Sequence, residues 1–192
     1  VTSALAYRTE IREAGREVWV IAGLSMVGSL AGALILVSMS NPSFRSLVPW
    51  LLLAATIIFA AGPYLRPKSL HAEQPITKLG MVGQFLTSIY GGFFGAGMGI
   101  MMLAVLGLTK GGDYHKLNAL KNVTAVVIAF VALLVFSGGG VVAWLPALIM
   151  IPAGALGGYA GVWAARRVPQ SIIRALVVGV GLGSMALIFG LE

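Results

Sequence analysis

The sequence predicts an all-α polytopic membrane protein built of two inverted repeats. Each repeat has three spans plus a re-entrant, glycine-broken hairpin, and the first hairpin is missing from this chain. Three observations carry this prediction. Of the 192 residues 58% are hydrophobic and 10% charged, with a mean hydropathy of +0.95, a composition suited to lipid rather than water. The apolar stretch Leu79–Thr109 is interrupted at its centre by Gly91, Gly92, Gly95, Gly97 and Gly99. A weak internal repeat, at an offset of 126 residues, relates the two halves of the chain.

The same composition sets aside several function classes. With no cysteine, the chain has no disulfide, thiol catalysis or thiolate metal site. The net charge of +7 comes from thirteen Lys and Arg spread between apolar runs. That is the positive-inside pattern of a membrane protein, so the expected surroundings are a lipid bilayer and not nucleic acid. The 26 glycines suit helices that pack closely in lipid.

Val1–Tyr7 reads as the end of a helix already under way, which predicts a segment upstream of it. Arg8, Arg12 and Arg16 recur every four residues and would lie along one helical face as a juxtamembrane turn touching lipid headgroups. Val18–Ser38 is the first complete span, opened by Trp19 as an interface anchor and carrying the small-xxx-small face Gly28 to Gly32. Asn41-Pro42 is expected to turn the chain into a second span, Leu47–Ala61. Residues 1–62 thus form the remainder of the first repeat. Residues 63–78, with Pro63, Pro67 and Pro75 among Arg66, Lys68, His71, Glu73 and Lys78, form a cytoplasmic linker.

Residues 79–192 form the complete second repeat. Leu79–Thr109 as one straight helix would measure about 46 Å, against a hydrocarbon core of about 30 Å, and it is too short for two spans. Glycine costs about 1 kcal/mol per residue in a helix interior, so five within nine positions predict two half-helices. Charge decides the topology. A single crossing would put seven Lys and Arg on one face and six on the other, whereas a re-entrant segment puts twelve on one face and only Arg45 on the other. The second arrangement obeys the positive-inside rule and inverts the two halves relative to one another.

Beyond the Lys110–Lys116 loop the spans are 117–136, 141–165 and 172–190, separated by the turns Ser137–Gly140 and Arg166–Pro169. The 126-residue offset lays Gly28 and Gly32 on Gly154 and Gly158. It also lays Val1 on Val127, so the first half lacks a counterpart of Leu79–Val126, a length of 48 residues.

Two places could carry chemistry. The hairpin tip from Tyr90 to Gly99 would lie near the membrane midplane, where glycines leave backbone N–H groups pointing into a cavity and the second half-helix presents its N-terminus. That environment suits an oxyanion; the competing reading is a packing crossing with no ligand. Downstream, Asn118, Lys121 and Asn122 share one helical face at i, i+3 and i+4. Lys121 is read as the most deeply placed cation, either at a site or extended to the headgroups. All six acidic residues are assigned to loops or to the chain end, which disfavours a sodium site or a carboxylate proton relay. His71 and His115 sit in loops, and no metal, cofactor or enzyme motif is present.

With GGFFGAGMG, then LNALKN, a Gly-Gly turn, Trp144 and GALGGYAGVWAARRVPQSIIR, the chain resembles the sulfite exporter TauE/SafE family of membrane permeases. The resemblance covers the second half throughout, and TSALAYR, GREVW and GSLAGAL match the end of the family's first half. It implies about eight membrane segments in two related halves and transport of sulfite, sulfonates such as sulfoacetate, or other small organic anions. The family's first glycine-rich segment is not here, so this is either part of a longer protein or a shortened homologue. The residues carried over are Gly91, Gly92, Gly95, Gly97, Gly99, Asn118, Lys121 and Asn122. The expected function is export of a small sulfur-containing anion across the bacterial inner membrane, without a cofactor. The rival is a non-transporting, permease-derived subunit of a larger membrane complex; a homodimer is allowed by the glycine-lined faces.

Overall fold

The computed structural model describes residues 15–65, 75–111 and 114–165, together with Arg167, Ile172, Gly179 and Gly183. Among the described residues there are six helices: α1 (Gly15–Ser38), α2 (Asn41–Leu65), α3 (Lys78–Phe93), α4 (Met98–Thr109), α5 (Tyr114–Gly138) and α6 (Trp144–Ala165). Glu17–Ser38 of α1 and Lys116–Gly138 of α5 are long and apolar enough to cross a membrane, while Met98–Thr109 and Trp144–Gly157 are shorter apolar stretches. The Arg8–Arg12 face, most of the linker and most of the 172–190 span lie outside the described residues.

α3 lies on α1 in parallel, and glycines set the distance between them. A Cβ at Gly28 would come within 2.8 Å of the Phe85 carbonyl oxygen and 2.9 Å of the Ser88 Cβ, one at Gly32 would collide with the Ile89 carbonyl, and one at Gly92 with the Ser29 backbone. The backbones therefore touch, as small residues permit in lipid-embedded bundles. The seam is polar as well as small. Ser25, Ser29, Gln84, Thr87 and Ser88 are buried in it, and the Gln84 amide donates to Ser25 Oγ at 3.1 Å. Ser88 and Thr87 return their hydroxyl protons to the carbonyls of Gln84 and Gly83, the usual settlement for buried hydroxyls in a helix.

α5 runs parallel to α1 on another side, joined where Ser29 Oγ donates to the Ile128 carbonyl at 2.9 Å. At the end where α1 begins, Val18, Ile21, Leu103, Leu106, Leu117 and Leu120 form the apolar core that unites α1, α4 and α5. α6 is different: its described side chains are exposed almost without exception, including Trp144, Leu145, Leu148, Ile149, Met150, Ile151 and Leu156.

Two boundaries depart from the sequence reading. Asn41-Pro42 is not a turn but the first turn of α2: Ser40 precedes it as a cap, its Oγ accepting from Ser43 N at 3.4 Å, and proline is tolerated where no intrahelical N–H bond is due. Glu17, assigned to a loop, stands in the first turn of α1. Apart from these boundaries, the described cation most enclosed by protein is Lys110, at 7% exposure, while Lys121 is half-buried. Lys110 immediately follows α4, where the carbonyl end of the helix and a carboxylate partner both favour a positive charge.

Candidate functional site

The candidate site is the turn between α3 and α4 and the part of α5 beside it. α3 ends at Phe93 and α4 starts at Met98. The four residues between them reverse the chain, so that α4 returns alongside α3, with Val105 beside Gly83 and Thr109 beside Gly80. Both legs of this hairpin have their outer ends at the end of α1 that carries Glu17. The tip meets α1 at Ser29 and Gly32, well along its length.

The reversal needs two left-handed residues, Gly95 at φ 78° and Gly97 at φ 75°, a conformation costing a residue with a Cβ about 1–2 kcal/mol. Gly95 N donates to the Tyr90 carbonyl at 3.1 Å, and Met98 N to the Gly95 carbonyl at 3.2 Å. Tyr90 then closes the turn from the side, its hydroxyl donating to the Ala96 carbonyl at 2.7 Å and its ring meeting Phe94 edge-on at 6.2 Å. Ala96 and Gly97 donate to no backbone carbonyl among the described residues. They leave two N–H groups available at the positive end of α4.

The five glycines proposed from sequence divide by role. Gly95 and Gly97 supply the turn. Gly92 faces α1, and Gly91 lies beneath Met98 and Ile128, so these two are committed to packing. Gly99, in the first turn of α4, is where α5 arrives: a Cβ there would meet the Lys121 Cδ at 3.8 Å, ordinary contact distance. Lys121 is thereby placed beside the α4 N-terminus. Asn118 and Asn122 are half-buried on the same face of α5, flanked by the buried Leu117, Ala119 and Leu120. Thr124 anchors this part of α5, its hydroxyl donating to the Leu120 carbonyl at 2.9 Å and the Lys121 carbonyl at 3.0 Å.

Sequence reading missed Tyr90, whose signal is only its position before the glycine cluster. It also missed the ion pair of Lys110 with Glu17, which closes 93 residues of chain and leaves no local pattern.

A family profile for sulfite exporter TauE/SafE matches residues 1–188, nearly the whole chain. The chain belongs to the TauE/SafE family. Over 163 residues it is also 27% identical to a probable membrane transporter protein of Haemophilus influenzae, a match covering 85% of this chain and 64% of that one. The chain thus spans under two thirds of the length of the curated relative it matches. No solved structure matches it. A TauE/SafE chain with these apolar helices is an integral membrane protein of a transporter family, and the turn between α3 and α4 is a glycine-built feature of that family member.

Proposed function

We propose that this TauE/SafE protein is a permease that exports a small sulfur-containing anion, such as sulfite or an organosulfonate, across the bacterial inner membrane. The observation that carries the reading is the juxtaposition of the Lys121 side chain with the first turn of α4. There the aliphatic stem of a lysine lies beside a helix N-terminus and close in sequence to the N–H groups of Ala96 and Gly97. A lysine's charge, a helix N-terminus and N–H groups each favour an anion, and oriented N–H groups match the several oxygens of a sulfite or sulfonate. The hairpin is read as re-entrant, its tip at mid-depth, in keeping with the placement of both outer ends at one end of α1. Broken helices meeting at the midplane are how alternating-access carriers build binding sites. In this scheme Asn118 and Asn122 orient the anion and Lys121 neutralises it.

Lys121→Ala, reconstituted in liposomes loaded with sulfite, is expected to lose efflux at least about tenfold while remaining folded and monodisperse, since one charge-assisted hydrogen bond to an anion is worth about 1.5–3 kcal/mol. Efflux at the wild-type rate would remove Lys121 from the site. The rival reading, a permease-derived structural subunit, draws on the open apolar length of α6. It predicts that the protein purifies only with other chains and that no anion protects or traverses it.

A further inference from the structure

We propose that Glu17 and Lys110 are a positioning pair for the anion site, holding α4 so that its N-terminal turn faces Lys121. This rests on the anion-site reading above. The two legs of the hairpin are held differently. α3 is seated along its length on the glycines of α1. α4 has no such seat on α1: it lies beside Gly80 and Gly83 of α3, and it meets α1 through Leu103 and Leu106 in the apolar core and through the charged clasp at its base. Lys110 N and Gly111 N both donate to the Leu106 carbonyl, at 2.9 and 3.3 Å, so Lys110 is fixed rigidly to the last turn of α4. Its ammonium, on a residue 7% exposed, meets Glu17 Oε2, and Glu17 Oε1 accepts from Ile76 N, next to the Thr77 cap of α3.

One carboxylate thus ties the first turn of α1 to the start of α3 and the end of α4. The pair is buried enough that removing one partner strands the other charge, while removing both takes the two opposite charges away together. α4 is a lever of twelve residues, about 18 Å long, so a tilt of about 10° at the clasp would move Gly99 by about 3 Å relative to Lys121. Misplacements of about 1 Å already cost binding geometry up to about a hundredfold.

The chain has no cysteine, so Ala96→Cys introduces a single thiol at the exposed tip. The full chain is labelled with a maleimide, without anion and then with increasing sulfoacetate. In the Glu17→Met/Lys110→Met double variant, which removes both charges of the pair, the labelling rate without anion is expected to change about threefold or more. The sulfoacetate concentration for half-protection is expected to rise about tenfold or more. Glu17→Gln, which keeps an acceptor for Ile76 N, is the second variant and is expected to shift both readings the same way. Wild-type labelling and wild-type protection in a folded variant would overturn the positioning role. Absence of protection in the Ala96→Cys parent would overturn the anion-site reading instead. The anion-free labelling rate then decides the clasp alone: a changed rate supports it and an unchanged rate overturns it.

Discussion

α1 and α6 are apolar helices of similar length that carry glycines in corresponding positions of the proposed repeat, and they use them in opposite ways. On α1, Gly28 and Gly32 are filled by the backbone of α3; on α6, a Cβ at Gly154, the counterpart of Gly28, or at nearby Gly157 would meet nothing within 4 Å. A small-residue stripe is therefore not itself a contact. It is permission for close approach, used only where another element lays its backbone there, as α3 does with Phe85 and Ile89. The difference extends to polarity. The α1 seam buries Ser25 and Ser29 against Gln84 and Ser88, whereas the described residues of α6 expose large apolar side chains, as a lipid-facing surface does.

The comparison can be broken most sharply at its tightest point. Gly32→Ala places a Cβ against the Ile89 carbonyl, which belongs to a helix backbone and cannot step aside, so a loss of about 3 kcal/mol or more is expected in thermal unfolding in detergent. A loss below about 1 kcal/mol would mean that the α1 and α3 backbones are not in contact. Gly97→Ala comes next: its Cβ would sit 3.4 Å from Ile58, tolerable in space, but φ 75° is strained for alanine, so a cost of about 1–2 kcal/mol is expected. That variant should also weaken anion protection at the tip, because the turn it strains sets the N-terminus of α4. Gly154→Ala is the smallest and has the opposite sign, a gain of about 0.5–1 kcal/mol from replacing a mid-helix glycine in open space. A loss at Gly154 would show that α6 is covered, and would bring the two helices back into correspondence.

Much of this was legible from residue types. The glycine cluster, a poor helix interior, marks where the helix stops, and the break falls at Phe94–Gly97 inside it. Gly28 and Gly32 were readable as a packing face, since only their smallness mattered. Which glycine does what was not readable: Gly91, Gly92, Gly95 and Gly97 are identical in sequence terms, yet two pack and two turn, because that depends on which neighbour lies above each of them. Enclosure by protein was not readable either. Lys121 falls inside an apolar run and so reads as buried, while Lys110, in a polar loop, is more buried because Glu17 from the far end of the sequence meets it.

What sequence determined by itself is the local and the summed: apolar composition commits the chain to lipid, glycine density breaks one helix in two, and the order of motifs places it among TauE/SafE permeases. What only the tertiary structure decided is pairing: Glu17 with Lys110 and Ile76, Ser29 with Ile128, Lys121 with Gly99. The reason is physical. Propensity and hydropathy act on residues one at a time or a few apart, whereas an ion pair or a helix contact depends on the mutual placement of distant elements, which the packing of the whole bundle sets.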